Sequence, residues 1–277
     1  MEIEISTESG GIWYMKDKGD NNRNDQPARE KSTDLEDKLI VALDMPDRTQ
    51  ALSLVDELGE QIKWYKIGLE LFCSQGPEII SELVDRDKKV FLDLKLHDIP
   101  NTVSRTAKEL VRRGASMINV HTAGGKDMMA RTVEEVHTEA SGRGITPPKI
   151  VGVTVLTSLG QNEFNNQLGF NGHIEDKVVE WAQMARNSGL DGVVASAKEA
   201  AQIKEKLGAE FLIVTPGIRL ASDDKSDQKR VLTPDKALNK GATHIVVGRS
   251  ITGKEGPGQK KTAVQEIYNC MRSEQND

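Results

Sequence analysis

The sequence contains only two cysteines, Cys73 and Cys270. They lie far apart and match neither a metal-ligand spacing nor a C-x-x-C redox pair, so they read as ordinary thiols of a reducing cytosol. A surplus of positive charge is missing as well: 37 Lys and Arg stand against 43 Asp and Glu, a formal net charge of -6. That balance speaks against a general nucleic-acid binder, which needs a basic surface to neutralise many phosphates, but it leaves room for a local basic pocket holding one phosphate. No stretch approaches the roughly 18 consecutive apolar residues of a membrane span. The N-terminus also lacks the basic-then-apolar order of a secretory signal. The expectation is a soluble, cytoplasmic protein without nucleic-acid or membrane partners.

What is present is a chain of 277 residues, enough for a barrel of about 250 residues plus a tail. Residues 1–37 stand apart: from Lys16 to Asp37 there are many charges, Asn and Ser/Thr, and almost no large apolar side chains. Such a composition does not offset ordering entropy by burial, so this part is read as a disordered N-terminal extension. The Gly11-Ile-Trp-Tyr-Met15 cluster leaves docking on a surface open as the alternative. Residues 38–277 are read as one domain. From Leu39 onward, short β-branched apolar runs alternate with segments of helical period. The runs are Leu39–Leu43, Ile62–Ile67, Lys89–Leu96, Met117–His121, Ile150–Leu156, Gly192–Ala195, Phe211–Val214 and His244–Val247. Eight such strands, each followed by a helix candidate, predict an α/β fold of the closed (β/α)8 TIM-barrel kind rather than an open sheet. Asn101 after Pro100, Ser196 with Glu199, and Thr233 before Pro234 are placed to cap helices.

In such barrels the active site forms at the C-terminal ends of the strands. Nearly every predicted strand here ends in a polar residue: Asp44, Lys66, Asp93 with Lys95, His121, Thr154, Ser196, then Thr215-Pro-Gly-Ile-Arg219 and Gly248-Arg249-Ser250. The third strand is the most informative. Alternation puts Val90, Leu92, Leu94 and Leu96 on one face, and Phe91, Asp93, Lys95 and His97 on the other. The leucine face packs on helices, so Asp93 and Lys95 point into the barrel mouth, where burying an unpaired ion is costly. Spacing alone leaves two readings open: a structural ion pair, with Lys66 and Asp44 as further partners, or a reactive one. After strands seven and eight, Thr215–Arg219 and Val247–Ile251 occupy the rim positions that often grip a phosphate. The polar connection from Arg219 to Thr233 exceeds the usual loop length and reads either as a lid or as a tolerated insertion.

Several segments, in order, resemble the orotidine 5'-phosphate decarboxylase family. They are Ala42-Leu-Asp44, Lys66-Ile-Gly68, Phe91-Leu-Asp-Leu-Lys-Leu-His-Asp-Ile-Pro-Asn-Thr102, Val153-Thr-Val-Leu-Thr-Ser158, Asp191-Gly-Val-Val194, Val214-Thr-Pro-Gly-Ile-Arg219, Asp227-Gln228 and Val247-Gly-Arg-Ser250. The resemblance runs from about Lys38 to the C-terminus. It implies a lyase with no cofactor and no metal that converts orotidine 5'-monophosphate to UMP and CO2, the last step of pyrimidine nucleotide synthesis. It further implies that Lys95 donates the proton to C6, flanked by Asp93 and Asp98. Asp98, Ile99 and Thr102 would reach the neighbouring subunit's site, making the enzyme a homodimer. Asp44 and Lys66 would serve the ribose hydroxyls and the charge network, Thr154 and Ser158 the ribose and pyrimidine. Pro216, Gln228, Gly248 and Arg249 would contact base and phosphate, and Arg219 would join lid to base.

Three rivals stand beside this reading. A sugar-phosphate decarboxylase of the same superfamily shares the Asp-x-Lys-x-x-Asp strand but uses Mg2+. An aldolase would form a Schiff base through Lys95. A catalytically silent barrel would only sense UMP, and the joint presence of Asp93, Lys95 and Asp98 speaks against it.

Overall fold

The computed structural model describes residues 35–221, 223 and 232–272. Eight parallel strands close into a barrel in the order of the chain. They are β1 (Leu39–Ala42), β2 (Trp64–Gly68), β3 (Lys89–Leu96), β4 (Met117–His121), β5 (Lys149–Val153), β6 (Gly192–Val194), β7 (Leu212–Ile218) and β8 (His244–Val247). Around them lie α1 (Arg48–Leu58), α2 (Leu69–Gln75), α3 (Glu78–Val84), α4 (Pro100–Arg112), α5 (Gly125–Arg143), α6 (Ile174–Asn187), α7 (Ala197–Leu207), α8 (Pro234–Asn239), α9 (Arg249–Thr252) and α10 (Gln259–Arg272). The expected barrel is therefore present, with β3, β4 and β8 at the expected bounds. β7 runs further than expected, through Pro216 and Gly217. Its ladder to β8 shifts register between Thr215 and Ile218, where proline supplies no N–H.

Period-two alternation divides the core into two. Leu39, Val41, Tyr65, Ile67, Val90, Leu92, Ile118, Ile213 and Ile245 face outward and pack with the helices. Ile40, Ala42, Trp64, Phe91, Met117, Val151, Val214 and Val246 fill the barrel interior. The helices match this sheet by their own period: α4 buries Val103, Ala107, Leu110 and Val111 and turns Arg105, Lys108 and Arg112 outward. Each fully buried aliphatic of this kind contributes about 1.5–3 kcal/mol. Gly192 on β6 is a packing requirement, because a Cβ there would collide with the Leu212 backbone of β7.

Three expectations need correction. Leu35, Glu36 and Asp37, assigned to the extension, belong to the barrel. Leu35 is 4% exposed and packs in the outer core, while Asp37 accepts from Lys89 Nζ at 2.8 Å and Trp64 Nε1 at 3.3 Å. The residues just before β1 thus join the outer core and the N-terminal ends of β2 and β3. Asn101 does not cap α4: the N-cap is Ile99, Pro100 takes the first helical position, and no side chain caps there. Ser196 does cap α7, but through the Lys198 N–H at 3.2 Å. Residues 1–34, with the expected disorder and the 11–15 cluster, lie outside the described residues. Among the described residues no helix is long and apolar enough to cross a membrane.

Candidate active site

Continuing the inward-facing rows toward the strand C-termini explains where charge collects. Above the apolar interior layer, the next inward positions are Lys66 on β2, Asp93 on β3 and Asn119 on β4, with Asp44 just beyond β1. They form one connected chain. Lys66 Nζ stands 2.9 Å from Asp44 Oδ1 and 3.5 Å from Asp93 Oδ2. Lys95 Nζ stands 2.7 Å from Asp93 Oδ1. Asn119 Nδ2 donates to the same Asp93 oxygen at 2.7 Å. Charge therefore alternates from Asp44 through Lys66 and Asp93 to Lys95. Gly68 permits the packing of Lys66, since a Cβ there would stand 3.2 Å from its Nζ and 3.4 Å from Asp44 Oδ1.

The side chain of Asp93 is 16% exposed and that of Lys66 10%, so these ions are held by one another rather than by water. Burial by itself pushes the Asp93 carboxyl up. The charges of Lys66 and Lys95 and the hydrogen bonds from Lys95 and Asn119 outweigh it and hold Asp93 below the usual carboxylate range. Asp93 is thus ionised at neutral pH.

Lys95 does not sit on a regular strand. Its φ is 51°, and the ladder from β3 to β4 shifts between Leu92 and Leu96. A lysine in the left-handed region costs about 1–2 kcal/mol, and such strain gathers at functional sites. Beyond it, His97 packs against His121 with ring centroids 5.2 Å apart. Burial first, then the charges of His97 and Lys95, lower the pKa of His121.

A cavity of about 160 Å³ opens beside this chain, with Lys66, Asp93 and Lys95 at one wall and Phe91, Leu156 and Pro216 among its other lining. Three charged groups thus face a lining that is otherwise mainly apolar.

The structure brings Asp44, Lys66, Asp93, Lys95 and Pro216 together as expected. Gly248 lies near Asp44, since a Cβ on it would be 3.7 Å from Asp44 Oδ2. Gly248 is also the N-cap of α9 and Arg249 its first residue. Arg219 is 8% exposed, and its N–H donates to Leu232 O at 3.1 Å. Thr154 is buried, and its hydroxyl donates to Val194 O at 2.9 Å. Ser158 is exposed, and Thr157 rather than Ser158 lines the cavity. Asp98, Ile99 and Thr102 are exposed on this chain, Ile99 at 66%. Asp98 Oδ1 accepts the Ile99 N–H at 2.7 Å. Gln228 and most of the expected lid lie outside the described residues. Asp223, near the start of that connection, is anchored by Lys254 Nζ at 3.0 Å.

Sequence reasoning passed over Asn119. The signal was there: in Met117-Ile-Asn-Val-His121 the inward row is Met117, Asn119 and His121, so a polar amide points into the barrel two positions below a rim histidine.

Comparison with known proteins agrees with this geometry. The family model described as Orotidine 5'-phosphate decarboxylase / HUMPS family matches residues 37–264. The orotidine 5'-phosphate decarboxylase of Moorella thermoacetica is 47% identical over 221 residues, covering 80% of this chain and 88% of that protein. That of Carboxydothermus hydrogenoformans is 49% identical over 217 residues, covering 78% and 90%. The crystal structure of orotidine 5'-phosphate decarboxylase from Lactobacillus acidophilus superposes with a TM-score of 0.74 at 36% identity, covering 84% of this chain and 98% of that one. An uncharacterized conserved protein from Geobacillus kaustophilus superposes with a TM-score of 0.73 at 38% identity, covering 83% and 100%. With the match running from the edge of β1 into α10, and so across every barrel strand, the chain belongs to the orotidine 5'-phosphate decarboxylase / HUMPS family.

Proposed function

We propose that this chain is a carboxy-lyase that converts orotidine 5'-monophosphate to UMP and CO2, with Lys95 as the proton donor. The observation that carries this reading is the alternating chain Asp44–Lys66–Asp93–Lys95, which ends at a small cavity at the barrel mouth. The relatives' names support the substrate and reaction.

In this reading the pyrimidine occupies the cavity with C6 toward Lys95. The C6–carboxylate bond breaks, CO2 leaves, and the electron pair stays on C6. The Lys95 ammonium stabilises that charge and passes its proton to C6, leaving a neutral amine that solvent reprotonates. Asp93 holds the ammonium in place and repels the substrate carboxylate, by ~4 kcal/mol at about 4 Å and an effective dielectric of 20. Lys66 balances Asp93 and, with Asp44, meets the ribose hydroxyls. Thr154 and Ser158 belong to the rim near ribose and base. Pro216 and Gln228 serve the base, Gly248 and Arg249 the phosphate, and Arg219 ties lid to base. The protein works as a cytoplasmic homodimer in which Asp98, Ile99 and Thr102 enter the partner's site. The exposure of Ile99 supports that role.

The test is spectroscopic. Purified protein with EDTA present should bleach the orotate-ring absorbance of orotidine 5'-monophosphate, and UMP should appear in equal amount. Loss of activity in EDTA, restored by Mg2+, would favour the sugar-phosphate decarboxylase reading. Borohydride trapping of a Lys95 adduct would favour the aldolase. No absorbance change would remove the decarboxylase.

A further inference from the structure

We propose that Asn119 is a positioning residue for the decarboxylation: its carboxamide locks the Asp93 carboxylate and the Lys95 backbone together and so sets where the Lys95 ammonium stands. The inference rests on the decarboxylase reading above. Asn119 is 1% exposed and makes two contacts, one to each partner of the Asp93–Lys95 pair. Its Oδ1 accepts the Lys95 backbone N–H at 2.8 Å, and its Nδ2 donates to Asp93 Oδ1 at 2.7 Å. The chemistry allows only this orientation of the amide, because a backbone N–H needs an oxygen and a carboxylate needs a donor.

The first bond explains how a lysine persists with φ of 51°. The β3–β4 ladder is interrupted between Leu92 and Leu96, so the Lys95 N–H takes a side-chain acceptor from β4 instead of a ladder carbonyl. The second bond orients the oxygen that also receives Lys95 Nζ at 2.7 Å. One neutral side chain thus grips both partners of the reactive pair, from the strand beside them. An aliphatic residue would take the acceptor from the Lys95 N–H and leave Asp93 to its two lysines alone. An aspartate would keep the acceptor for Lys95 but face Asp93 with a second carboxylate. The other charged or titratable groups around Asp93 are Lys66 of β2 with Asp44 beyond it, Lys95 of β3, and His121 of β4 with His97 against its ring. None of them supplies the missing amide donor.

Asn119→Ala and the near-isosteric Asn119→Asp are compared with the unmodified chain by absorbance kinetics across pH, with melting curves to establish that each is folded. Both variants are expected to lose about 100-fold in kcat with KM changed by less than about threefold, the signature of misplaced chemistry rather than weakened binding. In Asn119→Asp the acid limb of kcat/KM should also move to higher pH, because two facing carboxylates resist joint ionisation. If the alanine variant does not fold, the aspartate variant decides. A folded variant with unchanged kcat, or a loss matched by the unfolded fraction with an unmoved acid limb, overturns the proposal. Failure of the unmodified chain to bleach substrate would instead overturn the decarboxylase reading, and this inference with it.

Discussion

The two ends of the barrel use the same kinds of side chain to opposite effect. At the floor, Lys63 pairs with Glu36 at 3.1 Å, Lys89 with Asp37 at 2.8 Å and Lys149 with Asp191 at 2.8 Å, each lysine 35–55% exposed. At the mouth, Lys66 and Asp93 pair while 10% and 16% exposed. The floor pairs are partly exposed, at or just before the N-terminal ends of the strands, where such pairs are worth about 0–1 kcal/mol each. The mouth pairs converge on one enclosed carboxylate, Asp93, and include a strained lysine that is itself 33% exposed. A pair at the floor is replaceable; a group at the mouth is held in a state it would not choose alone. That difference separates structural ion pairs from the proposed reactive centre more sharply than residue type does.

Replacing Lys95 should break the comparison most visibly. Lys95→Ala and Lys95→Gly should each lower kcat by more than about 1000-fold, since both remove the cation and, in the proposed mechanism, the proton donor, while UMP binding persists. Their stabilities should differ. Glycine accepts the left-handed backbone that alanine does not, so Lys95→Gly should exceed Lys95→Ala by about 1 kcal/mol in urea unfolding. Equal stabilities would show that the φ of Lys95 stores no strain.

Asp93→Asn should come next, read as stability against pH. Because Asp93 is held below its ordinary range when folded, its stabilising contribution is full above the unfolded carboxylate value of about 3.9 and is lost as pH falls through the lower folded value. The variant should therefore be less stable than the parent at pH 7, by about 3 kcal/mol for a buried pair that loses one partner. The gap should close on acidification below about pH 4. A gap independent of pH would mean that Asp93 is not charged in the folded chain.

At the floor, Asp37→Ala removes the partner of Lys89 and an acceptor of the Trp64 indole. Unfolding should become easier by only about 0.5–1 kcal/mol, and kcat should not move. A loss of activity would join the two ends of the barrel and undo the contrast.

Much of this is legible in the sequence because alternation is rigid. Eight apolar runs with polar ends fixed the barrel, and the leucines at 90–96 turned Asp93 and Lys95 to one side. The bulge at Lys95 was not legible: Leu-Asp-Leu-Lys-Leu alternates without a glycine to mark it, and only pairing with β4 reveals it. Asn119 lies mid-strand, away from the strand ends where a barrel's site residues gather, although its parity in β4 places it inward. Asn101 looked like a cap because its type suits one, yet Pro100 starts the helix a residue earlier. Local chemistry predicts local geometry well; groups held by a neighbouring strand need the strand.

The smallest expected effect contrasts two adjacent residues of β2. Lys66 faces the mouth and Tyr65 faces the helices, fully buried, with its hydroxyl lacking a hydrogen-bond partner among the described residues. Burial pushes that phenol well above its ordinary pKa, so it stays neutral and its desolvation is uncompensated. An unsatisfied buried hydroxyl costs about 1–3 kcal/mol, and losing the packing of one atom returns part of this. Tyr65→Phe should therefore leave kcat unchanged and raise stability by up to about 1 kcal/mol, a Tm increase of about 2–4 °C for a chain of this size. A lower Tm would show that a buried water satisfies the hydroxyl. In that case the helix-facing side of β2 would contain a polar site of its own, and the assignment of polar chemistry to the inward face alone would fail.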